Sequence, residues 1–373
     1  IIQYKHLTEQ NTEGKMMIRK IWTDRLKGVR PNVDHWHNIL SVRRIVVPPE
    51  EDMDVWLKFA SLCRKSNKLQ LSQKILAKLI DGYKPGMAPE TLLTNSKVHP
   101  KVAYQYFKHM RCEADKKLIA FDLLTKFSQG NVAVQSNPKL LARCYLTMGL
   151  WQQDAINNLV MEEDHINAIL ENMKMASQLD PTWYKAWHCW AMMNSEAVSH
   201  YEKNKTKSPQ MTAHLVNALQ GFFRSISLSP DHNSSLQDIL RLLTLWFKHG
   251  AKKEVEMTLG EGFNTAKIDT WLEVIPQIIA RVNSNILPIR KLIHDLLIKV
   301  GKAHPHFVIY PLTVCSKSQS PSRRYAAEAI LNHMRQHSPT LVEQALMVSN
   351  ELIRVAILWN ELWHEGLEES RRL

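Results

Sequence analysis

Apolar residues recur at intervals of three and four along nearly all of the 373 residues, and strand-like alternation is almost absent. That spacing places them on one stripe of an α-helix. Pro, Gly, Ser and Asn punctuate the pattern every ten to twenty residues, so the chain must fold as many medium-length helices. A helix of that length cannot bury its stripe alone. A series of them joined by short breaks is solved by stacked helical hairpins, each covering its neighbour. The fold class expected is an all-α, right-handed α-solenoid.

The breakers give a provisional order of elements. Pro48-Pro49 ends a first section, and Glu50 to Cys63 reads as a helix with Trp56, Phe59, Ala60 and Cys63 on one stripe. Ser66-Asn67 turns it, and Leu69 to Ile80 returns. A looser stretch holds Gly82, Pro85, Gly86 and Pro89. The next pair opens after His99-Pro100 with Tyr104, Phe107 and Met110 on its face, and Leu118 to Phe127 returns. Lys139 to Met148 and Trp151 to Leu159 read as two helices turned by Gly149. LARCYLTMGLWQQDA then resembles the first half of a tetratricopeptide unit. Ile166 to Leu179 closes at Asp180-Pro181.

Residues 1–202 are thus read as tetratricopeptide-like repeats and 203–217, opening with KNKTKSPQ, as a polar loop region. From 218 to 350 the units look longer and closer to HEAT repeats, with IDTWLEVIPQIIARV among the paired helices. A final helix runs from about Thr340 to the end. Gly260-Glu261-Gly262 reads as a turn.

Composition narrows the function classes. The formal charge of +12 invites a polyanion. The cations are scattered, with no Lys/Arg block, and the aromatics sit on core stripes rather than as stacking platforms, which argues against nucleic acid. No apolar run is long enough for a transmembrane segment. Five cysteines without a CxxC fit reduced, buried thiols of a cytoplasmic or nuclear protein. The chain does not open with Met, which gives the expectation of a piece of a larger protein.

No catalytic signature emerges. A P-loop, HRD, DFG and HExxH are all missing. His35-Trp36-His37 and His304-Pro305-His306 lack partners at metal-ligand spacing, so neither catalytic nor metal residues are expected.

One constellation stands out. Lys58 in VWLKFASLC, Lys108 in YQYFKHM, Arg143 in LLARCYL and Lys185 in WYKAWHCW each put a cation among apolar residues of a repeat-opening helix. Their spacings, 50, 35 and 42 residues, are close to one per hairpin. Lys65 lies two turns beyond Lys58. Equivalent helices of a solenoid line one surface, so such cations converge and repel unless an anion sits among them; Arg favours bidentate phosphate contacts. The plainer explanation is long side chains snorkelling from a solvated edge.

LARCYLTMGLWQ, WYKAWHCWA, LQGFFRSISLS, DTWLEVIPQIIARV, YPLTVCSKS and ELIRVAILWNELWHEGLEE together resemble the target-of-rapamycin branch of the phosphatidylinositol-3-kinase-related Ser/Thr protein kinases. The resemblance covers essentially the whole chain. It implies the C-terminal part of a FAT domain, a non-catalytic solenoid clamping the kinase domain, with residues 351–373 entering the first helix of the rapamycin-binding bundle. ATP and Mg would belong to a kinase domain outside this chain.

The resemblance also implies inositol hexakisphosphate bound by Lys58, Lys65, Lys108, Arg143 and Lys185, the positions already picked by repeat spacing. Pro31, Cys112 and Thr147 stand where the family carries further basic residues, with Arg30, Arg64 and Arg111 one position away or nearby as replacements. At the drug site Leu367 is kept, but GLEESRRL puts Arg371 where the family has a small serine. A long cation there is expected to obstruct the rapamycin–immunophilin complex. The implied partners are the kinase domain, a regulatory-associated WD40/HEAT subunit and a small β-propeller subunit, in cytoplasm, on endomembranes such as lysosome or vacuole, or in the nucleus. A stand-alone tetratricopeptide-type adaptor that binds peptide tails is the alternative.

Overall fold

A computed structural model describes residues 12–80, 98–156, 163–204, 209–229, 232–356 and 358–373. Among these residues there are helices and no strand. The chain divides into two compact units, Ile1–Asp180 and Pro181–Leu373.

In the first unit, α1 (Thr12–Lys27) and α2 (Val33–Arg43) precede the hairpin of α3 (Met53–Lys65) and α4 (Leu69–Lys78). The expected turn between α3 and α4 is present. Asn67 takes φ 58°, and the amides of Asn67 and Lys68 close back on Arg64 and Cys63. That is a left-handed helix stop, which Asn tolerates better than most residues. α5 (Pro100–Met110) starts where His99-Pro100 predicts: Pro occupies the first turn and the His99 ring accepts from the Lys101 amide. α6 (Lys117–Gly130), the one-turn α7 (Val132–Gln135), α8 (Pro138–Ile156) and α9 (Glu163–Leu179) follow. One core runs through the unit, from Leu26 through Phe59, Tyr106, Phe107 and Leu124 to Trp151.

Gly149 is not a turn. It lies inside α8, which runs unbroken from Pro138 to Ile156, and the hairpin is α8 against α9. A Cβ at Gly149 would come to 3.0 Å from Met173 Cγ on α9. The glycine lets two long helices approach. The looser stretch around Gly82 to Pro89, and Asn157 to Leu159 of the expected return helix, lie outside the described residues.

The second unit contains α10 (Tyr184–Lys203), α11 (Pro209–Leu228), α12 (His232–His249), α13 (Lys253–Thr265), a 3-10 segment (Ile268–Val274), α14 (Ile275–Ile279), α15 (Leu287–Ala303), α16 (Pro305–Ser316), α17 (Pro321–His337), α18 (Pro339–Ala356) and α19 (Leu358–Arg372). Its core joins Leu215, Phe222, Trp246, Trp271, Leu297 and Ile330. Consecutive helices pack as hairpins, α10 on α11 and α16 on α17 most extensively.

Three expectations are corrected here. Residues 209–217 are helical, so of the polar region only the stretch around 205–208 stays outside the described residues, and residue 218 falls within α11. Gly260 and Gly262 lie within α13 rather than in a turn. IDTWLEVIPQIIARV is not one long helix. Pro276 cannot donate to a preceding carbonyl, so the chain forms a 3-10 segment that buries Trp271 fully and then restarts. The expected final helix is helical on both sides of residue 357, which lies outside the described residues.

Candidate anion-binding face

Tyr104 organises the cations of the first unit. It sits on the inner face of α5, 6% exposed, and its hydroxyl is 2.8 Å from the Thr147 hydroxyl and 3.4 Å from the Arg143 carbonyl, both on α8. Lys108, one turn further along α5, holds its ammonium 5.2 Å from the centre of the Tyr104 ring. Burial pushes the Tyr104 phenol up to about 12, while the Thr147 hydrogen bond and the charges of Arg143 and Arg64 oppose the shift. Three cations from three helices, Arg64 on α3, Lys108 on α5 and Arg143 on α8, therefore act on one aromatic ring or its hydroxyl. Lys108 also lies within electrostatic reach of Cys144, whose thiol is driven up to about 12 by burial and is inert at neutral pH.

Lys58 and Lys65 are exposed on α3, seven residues apart and so on one face of it. Neither pairs with a carboxylate among the described residues. Arg143 is exposed and Lys108 half-buried. Cations of α3, α5 and α8 are of the kind that draws a multivalent anion, Arg143 offering a planar fork and the lysines point charges.

The three nearby arginines fare differently. Arg64 donates to the Ser61 hydroxyl at 3.4 Å, and its charge is felt at both Tyr104 and His109. Arg111 is taken up elsewhere: it stands 5.1 Å over the Trp151 ring, donates to the Trp151 carbonyl at 3.1 Å and lies 3.8 Å from Asp154. Arg30 is exposed in the turn before α2. Thr147, in place of a basic residue, is the buried partner of Tyr104. Arg64 was named from the sequence as a possible replacement cation; Tyr104 was missed as a functional position, its only signal an aromatic four residues before Lys108.

Lys185 belongs to the second unit, exposed in the first turn of α10. Around it the WYKAWHCW residues are structural. Trp187 donates to the Pro181 carbonyl at 3.0 Å, Trp190 is buried, and Tyr184 stacks on His188 with centroids 5.6 Å apart. His188 meets the fully buried Asp238 at 2.7 Å, and Ser225 donates to the other carboxylate oxygen at 2.6 Å. One carboxylate thereby ties α10, α11 and α12. Cys189 is raised to about 11 by burial.

Leu367 and Arg371 lie one turn apart and exposed on α19. Among the described residues no group of three or more His, Cys, Asp or Glu could hold a metal ion, and no helix is long and apolar enough to cross a membrane.

Comparison with known proteins matches residues 1–244 to the FAT domain, 257–352 to the HEAT repeats of Serine/threonine-protein kinase ATR-like proteins, and 351–373 to the FKBP12-rapamycin binding domain. The whole chain is 45% identical to Serine/threonine-protein kinase mTor of Drosophila melanogaster, covering 16% of that protein. It is 41% identical to Serine/threonine-protein kinase TOR of Arabidopsis thaliana, again over the whole chain and 16% of the relative. Against Serine/threonine-protein kinase TOR2 of Saccharomyces cerevisiae the identity is 38%, with 17% of the relative covered. The chain thus spans about one sixth of the length of these relatives.

Proposed function

The chain belongs to the FAT-domain family, as the FAT-to-rapamycin-binding segment of the target-of-rapamycin type, and from that premise we propose that it is the non-catalytic scaffold that clamps the kinase domain of a Ser/Thr protein kinase. The parent transfers phosphate from ATP with Mg using residues outside this chain. The chain contributes rigidity: stacked hairpins share continuous cores and hold a neighbouring domain in one geometry. It works in the cytoplasm or on endomembranes, beside the regulatory-associated and β-propeller subunits of the parent's complex.

Within that role, the α3–α5–α8 face takes an inositol polyphosphate such as inositol hexakisphosphate. The observation that carries this reading is the gathering of Arg64, Lys108 and Arg143 around Tyr104, with Lys58 and Lys65 on the same unit. The anion would neutralise cations from successive hairpins and so cross-link them, stabilising the folded state by linkage, about 2.7 kcal/mol at a hundredfold excess over Kd. At the other end of the chain, Arg371 obstructs the rapamycin–immunophilin complex on the exposed face of α19.

The test is a thermal titration of the chain with inositol hexakisphosphate beside a Lys58→Ala/Arg143→Ala variant. A saturable rise in the first unit's midpoint, lost in the variant and not reproduced by inorganic phosphate, is expected. An equal rise in both proteins would refute the site.

A further inference from the structure

A second recess lies among α2, α3 and α4. It is a cavity of about 130 Å³ whose floor is Trp56 and Phe59 of α3, set edge to face with centroids 6.1 Å apart. One wall is His37 and Arg44, on and just beyond α2; the other is the Lys74–Lys78 edge of α4. At 100° per residue, Trp56 and Phe59 lie about 100–180° around α3 from Lys58 and Lys65. The recess shares no lining residue with the candidate anion-binding face.

Its chemistry is asymmetric. The floor is aromatic and aliphatic, three permanent cations rim it, and none of the residues lining it is acidic. Arg44, Lys74 and Lys78 are exposed and make no ion pair among the described residues. An anionic group at the rim with an apolar group below it satisfies both parts. Size and spacing choose the occupant. The cavity is well short of the roughly 300–1,000 Å³ typical of small-molecule sites and suits one bulky side chain. Lys74 and Lys78 are one helical turn apart, about 5–6 Å, close to the distance between alternate residues of an extended peptide. Cations on both walls match carboxylates on both sides of an anchor residue rather than a single head group.

We infer that the α2–α3–α4 recess binds an acidic segment of a partner protein, one bulky apolar side chain entering over Trp56 and Phe59 while its flanking carboxylates meet Arg44, Lys74 and Lys78. The aromatic floor supplies the anchor contact, and the rim supplies selectivity for acidic sequences.

The test uses the 373-residue chain and a set of four labelled pentapeptides, each with Phe, Leu, Ile or Trp between two pairs of Asp, read by fluorescence anisotropy. At least one should bind saturably. Exchanging its Asp residues for Asn, or its central residue for Ser, should weaken binding about fivefold or more. Lys74→Ser/Lys78→Ser should weaken the acidic peptide to a similar degree and leave the Asn version unchanged. Both lysines are exposed, so the fold is retained; Trp56→Leu is the second variant, expected to reduce binding of both versions. Arg143→Ala, which probes the polyphosphate face, should change nothing here, so either site can fail without the other. No saturable binding by any of the four peptides would overturn the inference. So would equal affinity of the acidic peptide for the wild-type and Lys74→Ser/Lys78→Ser chains.

Discussion

Two glycines two residues apart on α13 should respond to the same substitution with opposite sign. Gly260 has open space where a Cβ would go, with no atom within 4 Å. Gly260→Ala therefore only removes the backbone freedom of a mid-helix glycine and should stabilise by about 0.5–1 kcal/mol. Gly262 is buried, and a Cβ there would fall within 3.0 Å of three carbons of the Phe223 ring. Carbon–carbon contacts are comfortable at about 3.5–4.0 Å, so the ring must retreat by more than about 1 Å. It has little room, because Phe263 and Trp271 hold it edge to face at centroid distances of 5.5 and 6.2 Å. Overpacking of this kind costs about 1–3 kcal/mol, here near the upper end. Less the helix gain of about 1 kcal/mol, Gly262→Ala should be net destabilising by about 1–2 kcal/mol. For a unit of this size that is a fall of roughly 4 °C in the second unit's midpoint, against a rise of roughly 2 °C for Gly260→Ala. Calorimetry of the two variants reads the signs directly. In a double-mutant cycle, Phe223→Leu should recover part of the Gly262→Ala loss. Shifts of the same sign, or strict additivity with Phe223→Leu, would refute the close-packing argument.

Other consequences follow from buried polar groups. His109 is 2% exposed, and burial lowers its pKa below the ordinary histidine value, with Arg64 and Lys116 adding to the effect and Glu113 opposing it. The unfolded chain therefore binds this proton first, and the first unit should lose stability as pH falls below about 6.5; urea midpoints of a His109→Met variant should lack that part of the slope. Asp238→Ala removes the acceptor shared by Ser225 and His188 and should cost about 3 kcal/mol, with Asp238→Asn costing less, as measured by urea unfolding. Tyr104→Phe leaves the 8%-exposed Thr147 hydroxyl without its phenol partner and should cost about 1 kcal/mol in thermal unfolding, while the ring under Lys108 and the inositol hexakisphosphate response remain.

Repeat spacing converts into position, because one cation per hairpin is a statement about equivalent helix faces; it singled out Lys108 and Arg143, whose helices the Tyr104 side chain bridges. Arg64 was named only as a neighbour of Lys65, since no sequence period marks it. Arg111 shows the opposite case, a cation of suitable position whose charge is absorbed by Trp151 and Asp154. The acidic-peptide recess had no sequence signal, because its floor and its two walls come from three helices whose cations fall at unrelated intervals.

The sequence by itself determined the helices and many of their ends. Periodicity of 3.6 and the stops at Asn67 and His99-Pro100 are local physics, written in neighbouring residues. What tertiary structure decided was the meaning of glycine and of chain direction. Gly149 and Gly262 read locally as breaks, yet both sit inside helices because Met173 and Phe223 pack where a side chain would otherwise stand. A glycine is enriched at turns for its backbone freedom and tolerated in helices for its missing Cβ. Only the partner across the interface distinguishes the two, and that partner lies 24 residues away in one case and 39 in the other.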